Sequence, residues 1–217
     1  MKTRILIADD HAIVREGLRR IISSDTAFTV AGEAADGHEV MAAVRAGGFD
    51  VLLLDLSMPG RSGIELLRQV KTERPELHVL VLSMHAEQQY AVRAIRAGAS
   101  GYLTKDAATT QLSAALTKVA AGGLFITPAV AEALAMGLQT PSEEAPHKRL
   151  SDREYEVFVR LATGESVTTI AERLNLSVKT VSTHKTHILE KMNLSSLADL
   201  VRYAIAHRLL DSPESSQ

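Results

Sequence analysis

Cysteine and tryptophan are both absent from the 217 residues. The first absence excludes disulfides, thiolate metal centres and cysteine nucleophiles, and it fits a reducing compartment. The second, with aromatic residues at only 4%, leaves no stacking platform for RNA or single-stranded nucleic acid. No apolar run approaches the roughly 18 residues of a membrane span. Met1-Lys2-Thr3-Arg4 leads directly into a strand pattern instead of a signal-peptide core, so a cytoplasmic protein with no membrane role is expected. A strong charge bias is missing too. Residues 148–217 carry 10 Lys+Arg against 9 Asp+Glu, and the first 147 carry 14 against 17. Any nucleic-acid role must therefore rest on local placement, not on bulk charge. What is present is an ordinary globular balance, 46% hydrophobic and 23% charged, long enough for one large or two small domains.

Up to about residue 122, short apolar runs alternate with helical periodicity. Strands are expected at 4–8, 28–33, 51–55, 79–83 and 101–104, and helices at 11–23, 37–46, 63–73, 86–97 and 109–121. Such alternation predicts an α/β domain, a five-stranded parallel sheet doubly wound with helices on both faces. A short Ala-rich helix is expected at 129–138, and 139–147, with two prolines and no apolar period, reads as a tether. From Leu150 onward only helices are expected, at 152–162, 168–174, 178–192 and 197–207. Ser151 with Glu154 forms a capping-box pattern, and Ser177 is placed to cap the third of these helices. The resulting plan is a domain over 1–122, a linker with a short helix over 123–147, an all-α four-helix domain over 148–211 and a frayed tail over 212–217.

In a parallel sheet the C-terminal strand ends share one edge, where ligands bind. Asp9 and Asp10 follow the first strand, Asp55 ends the third, Ser83 the fourth, and Lys105 follows the fifth. Three converging carboxylates would repel one another without a cation, which implies an oxygen-liganded divalent ion, with Mg²⁺ the natural choice. A carboxylate nucleophile, a metal, a hydroxyl and an ammonium are what phosphoryl transfer requires. With these residues in place, positions 1–122 resemble the receiver domain of two-component response regulators, a flavodoxin-like fold. The resemblance implies Asp55 as phospho-acceptor and Mg²⁺ held by Asp9, Asp10, Asp55 and the backbone carbonyl of Ser57. It further implies Ser83 and Lys105 on the phosphoryl group, Ser83 and Tyr102 as a switch pair, and a sensor histidine kinase as phosphodonor.

In the helical part, 168–174, a turn at Asn175-Leu176 and 178–192 have the helix-turn-helix shape. Val181, Ile188 and Met192 make an apolar stripe, with Val178 and Leu189 beside it. Lys179, Thr180, Ser182, Thr183, His184, Lys185 and Thr186 make a polar face that could read base edges and phosphates of double-stranded DNA. Leu150-Ser-Asp-Arg-Glu154, Ile170-Ala171-Glu-Arg-Leu and Leu176-Ser-Val-Lys-Thr180 resemble the LuxR-type DNA-binding domain. Paired with a receiver, that is the NarL/FixJ class. Where that family commonly has Asn-Lys-Glu, this chain has Val167-Thr168-Thr169. The resemblance implies a transcriptional regulator, not an enzyme, with phosphorylation of Asp55 promoting homodimerisation and promoter binding, and Leu197, Leu200 and Val201 similar to the dimerising segment. Two other readings compete. One keeps DNA binding and makes the receiver a phosphate-independent dimerisation platform. The other is an aspartyl-phosphate phosphatase of the haloacid-dehalogenase type, which wants a second acid at the position of Ser57.

Overall fold

The computed structural model describes residues 2–58, 63–83, 88–139, 145–207 and 209–210. The chain forms two compact units, Met1–Leu134 and Ala135–Gln217. In the first, β1 (Thr3–Ala8), α1 (Ala12–Ser23), β2 (Phe28–Ala34), α2 (Gly37–Ala46), β3 (Val51–Asp55), α3 (Gly63–Glu73), β4 (His78–Ser83), α4 (Gln88–Arg96), β5 (Gly101–Thr104) and α5 (Lys105–Ala120) alternate, and the boundary between the units falls within α6 (Pro128–Gln139). Every strand pairing is parallel and the order is β2-β1-β3-β4-β5. The strands fall within one residue of the ranges expected from the sequence.

β3 lies in the middle of the sheet and is buried along its whole length, which is why its sequence has no polar face. Ile5, Ile7, Leu53, Leu80 and Leu82 pack with Leu18 and Ile22 of α1 and with Leu112, Ala115, Leu116 and Val119 of α5. Alternation along each strand turns the equally buried Leu6, Leu52, Leu54, Val79 and Val81 to the opposite face. Right-handed crossovers place α2, α3 and α4 there. From β1 the chain steps outward to β2 and then returns across the sheet to β3. The crevice between the C-terminal ends of β1 and β3 is thus a topological switch point, open to a ligand.

The structure departs from the expected linker at both ends. Phe125 bridges to Gly101 and brackets β5, its N–H donating to the Ser100 carbonyl and its carbonyl accepting from Tyr102 N–H, both at 3.0 Å. Residues 123–127 thus begin against the sheet edge. Gly101 permits this, since a Cβ there would stand 2.9 Å from the Phe125 carbonyl oxygen. The tether expected at 139–147 lies partly outside the described residues, but its end is folded. Pro146–Arg149 forms a 3-10 turn in which His147 is buried, with Nδ1 2.7 Å from the Tyr203 hydroxyl. The expected tail, 212–217, lies outside the described residues.

The second unit contains α7 (Asp152–Ala162), α8 (Val167–Arg173), α9 (Val178–Met192) and α10 (Leu197–Ala206). A serine caps each of them, Ser151, Ser166, Ser177 and Ser196 in turn, by accepting a backbone N–H from the first turn. At Ser151 the cap is a full capping box, because Glu154 returns a bond to the Ser151 N–H at 2.8 Å. Both oxygens of Glu154 also accept from Lys191 Nζ, at 2.7 and 2.8 Å, which ties the start of α7 to the end of α9. Asn193, in the left-handed region at φ 54°, ends α9.

Candidate functional site

Two adjacent strands carry the carboxylates. Asp9 follows β1 and Asp55 ends β3, which pair Ala8 with Leu54, and both side chains are fully buried. Lys105 Nζ donates to Asp9 Oδ2 at 2.6 Å and to Asp55 Oδ2 at 2.7 Å. The remaining oxygens accept backbone bonds, Asp9 Oδ1 from His11 N–H at 2.8 Å and Asp55 Oδ1 from Ser57 N–H at 2.9 Å. One ligand atom from each of Asp9, Asp10, His11 and Asp55 lies within 4.8 Å of the others. Ser83, also fully buried, ends β4 in register with Thr104, the residue before Lys105. Tyr102 is buried in β5, paired with Val81. Thr104 caps α5 by accepting the Ala107 N–H, so Lys105 is the first residue of that helix. The helix starts four residues before the expected 109, and Ala108 in its first turn, four residues before Leu112, already belongs to its buried stripe.

Burial pushes the Asp55 carboxyl above the usual aspartate range, and the neighbouring Asp9 adds to this, although Lys105 and the Ser57 N–H pull the other way. Burial also disfavours the Lys105 ammonium, but Asp55 and then Asp9 outweigh it and hold its pKa above that of an ordinary lysine. The Lys105 ammonium pairs with two of three clustered carboxylates, an excess of negative charge that a cation would neutralise. Asp10 Oδ1 is buried without a hydrogen bond, and His11 Nδ1, 2.8 Å away, meets it outside hydrogen-bonding geometry. Hard oxygen donors with a lone pair unspent fit a small divalent cation such as Mg²⁺.

Gly63 maintains the approach of α3 to this edge. A Cβ on it would lie 2.4 Å from the Cα and carbonyl oxygen of Leu56, the residue after Asp55.

On α9, Val181, Ile188 and Met192 are buried as expected, but Val178 is exposed (49%). Lys179, Ser182, Thr183 and Thr186 are exposed, while Thr180 and Lys185 are half-buried. Several hydroxyls are satisfied locally: Thr183 Oγ1 donates to the Lys179 carbonyl at 3.0 Å, Thr186 Oγ1 to the Ser182 carbonyl at 3.2 Å, and Thr180 Oγ1 sits 2.7 Å from Ser177 Oγ. His184, like Thr180 and Lys185, is not fully exposed. It is half-buried, and burial, followed by the charge of Arg153, holds its pKa below the ordinary histidine value against the opposing pull of Glu154. The sequence placed His184 on the polar face, and the structure places it within electrostatic reach of α7.

Residues 5–117 match the response regulator receiver domain family, and residues 148–204 match the luxR family of bacterial regulatory proteins. The chain is 39% identical over 215 residues to the oxygen regulatory protein NreC of Staphylococcus carnosus, spanning 96% of this chain and 99% of NreC. It belongs to the NarL/FixJ class of response regulators. The response regulator UvrY of Escherichia coli strain K12 is 34% identical over 209 residues, 96% of either chain. Among solved structures, RcsB of Salmonella enterica serovar Typhimurium bound to promoter P1flhDC in the presence of the phosphomimetic BeF3⁻ has a TM-score of 0.66. It is 30% identical, and the match covers 95% of this chain and 100% of that one.

This response regulator is therefore a DNA-binding member of a two-component system. None of its described helices is long and apolar enough to cross a membrane. The structure brings Asp9, Asp10, Asp55 and Lys105 together with Ser83 on the next strand end. Sequence reasoning missed His11 and Arg15, the latter donating from Nη1 to the Asp9 carbonyl at 2.6 Å. Their only signal was position just after the acid pair, which by itself suggests a helix start.

Proposed function

We propose that Asp55 of this response regulator accepts a phosphoryl group from a phosphohistidine of a sensor kinase and that the modified receiver favours a DNA-binding homodimer. An Asp55 oxygen forms a bond to phosphorus as the P–N bond breaks. The electron pair leaves with the imidazole nitrogen, which takes up a proton, and an acyl phosphate remains. Asp9, Asp10, Asp55 and the Ser57 carbonyl would hold Mg²⁺, which would supply neutralising charge for the transferring group. The Lys105 ammonium, paired beforehand with the nucleophile, moves to a phosphoryl oxygen, and the Ser83 hydroxyl donates to another. Tyr102 follows Ser83 inward, which shifts the receiver between two populated states. The output is read by Lys179, Thr180, Ser182, Thr183, His184, Lys185 and Thr186 on double-stranded DNA.

The observation that carries this reading is the single Lys105 ammonium shared by Asp9 and Asp55 at 2.6 and 2.7 Å, beside an acid group with an unsatisfied oxygen. The RcsB structure with promoter DNA and a phosphomimetic supports it by kinship. The test treats wild type and Asp55→Asn with a small phosphodonor and Mg²⁺, then follows labelling, sedimentation and DNA retention. Asp55→Asn is expected to lose labelling and the donor-dependent gain in dimerisation. If it dimerises and binds DNA as donor-treated wild type does, the phosphorylation switch is wrong and the receiver is a phosphate-independent platform. A steady multiple turnover of small phosphate esters by wild type would favour the phosphatase.

A further inference from the structure

Asp9 and Asp10 can bind one ion together only if the peptide between them is held in one orientation. Asp9 is anchored on several sides, by Lys105 and the His11 N–H at its carboxylate and by its own N–H donating to the Ala34 carbonyl at 3.2 Å. Asp10 has no such anchor at Oδ1, so the direction of its side chain follows from the backbone. The Asp9 carbonyl and the Asp10 N–H share one rigid plane. Whatever grips that carbonyl therefore aims Asp10.

Arg15, one turn into α1, grips it from Nη1 at 2.6 Å, and Nε of the same guanidinium donates to Glu33 Oε2 at 3.2 Å. Glu33 stands on β2 in register with Ile7 of β1, and its other oxygen pairs with Arg19. We infer that Arg15 is a positioning residue for the acid pair, a planar fork fixed by Glu33 that orients the Asp9–Asp10 peptide and so sets the affinity of the site for its divalent cation. The inference rests on the reading that this cluster holds Mg²⁺.

Positioning and plain charge predict opposite signs. A guanidinium beside a cation site repels the ion, so its removal would tighten binding if charge alone mattered. Removal of a fork that orients a ligand loosens binding, typically by about tenfold or more. A lysine keeps the charge but cannot span the Asp9 carbonyl and Glu33 with a rigid pair of donors.

The test uses the full chain and Mn²⁺ as probe, with free ion counted from its paramagnetic resonance signal and Mg²⁺ as competitor. Arg15→Ala is expected to weaken Mn²⁺ binding by about tenfold, Arg15→Lys by less and Glu33→Gln by less again. The double variant Arg15→Ala/Glu33→Gln is expected to bind no more weakly than Arg15→Ala alone, since Glu33 acts through Arg15. Labelling of Asp55 by a small phosphodonor should slow at low Mg²⁺ and recover at saturating Mg²⁺, a split that a merely destabilised fold would not produce. Equal or tighter Mn²⁺ binding by Arg15→Ala overturns the clamp, and so does a simple addition of the two losses. If Arg15→Ala does not fold, wild-type affinity in both Arg15→Lys and Glu33→Gln overturns it instead. A wild type that binds no Mn²⁺ at millimolar concentration overturns the metal reading of the site, and the clamp with it.

Discussion

At the strand ends of the first unit, Asp9, Asp55 and Ser83 are entirely buried, and the cation that joins the two carboxylates comes from a helix fifty residues further along. On α9 of the second unit, Lys179, Ser182, Thr183 and Thr186 face solvent, and the two threonine hydroxyls bond within their own helix. Both sets are polar and both are proposed to bear function, but their dependence on neighbours differs. In low dielectric, each buried group sets the charge state and geometry of the others, so none can change alone. On a solvated face each side chain can be replaced with little effect on the fold. Chemistry common to a class belongs in the first setting, and discrimination between DNA sites belongs in the second.

The sharpest attempt to break this contrast is Lys105→Ala. Two buried carboxylates lose their cation, and the first unit is expected to lose about 3–5 kcal/mol in denaturant unfolding without metal, together with donor-dependent dimerisation. A cost near that of a surface change would show that the cluster is wetter than its burial implies. Gly63→Ala should come next. The new Cβ forces the Leu56 backbone to move, at a cost of about 1–3 kcal/mol, and labelling of Asp55 should slow because the shift begins one residue away.

Glu154 sharpens the contrast from the other side, since it is a buried charge in the second unit. Burial alone would raise its pKa, but Lys191 and the Ser151 contacts prevail and hold it below the ordinary 4.5. A depressed carboxylate contributes fully above the unfolded value and loses its contribution as pH falls through the folded one. Glu154→Gln should therefore cost about 1 kcal/mol at pH 7, and the gap to wild type should close as melting is repeated below about pH 4. The smallest effect on the fold is expected for Lys179→Ala, within about 0.5 kcal/mol in stability. DNA retention should weaken evenly across sequences, and its salt dependence should drop by about one charge.

What could be read beforehand was what local rules govern. Val51 to Leu54 declared a strand buried on both faces, Ser151 and Ser177 declared their helix starts, and the parallel sheet made the strand-end residues neighbours. What could not be read required distance or competition. His147 looked like part of a tether because its partner, Tyr203, is 56 residues away. Lys105 looked like a loop residue because the cap at Thr104, which starts α5 there, was not read. Arg15 drew no reading at all, since its grip on Asp9 and Glu33 depends on how α1 lies over two strands. Val178 is exposed and His184 half-buried because a helical wheel shows angle but not where neighbouring helices end.

The join between β5 and α5 has a mechanical consequence. Thr104 is the last residue of the strand and Lys105 the first of the helix, so no loop absorbs displacement there. Any pull on the Lys105 ammonium acts at the pivot of a rod 16 residues long, about 24 Å at 1.5 Å per residue. A tilt of a few degrees about that pivot would carry the far end of the rod by roughly 1–2 Å, so the packing of Leu112, Ala115, Leu116 and Val119 against the sheet is what holds that end in place.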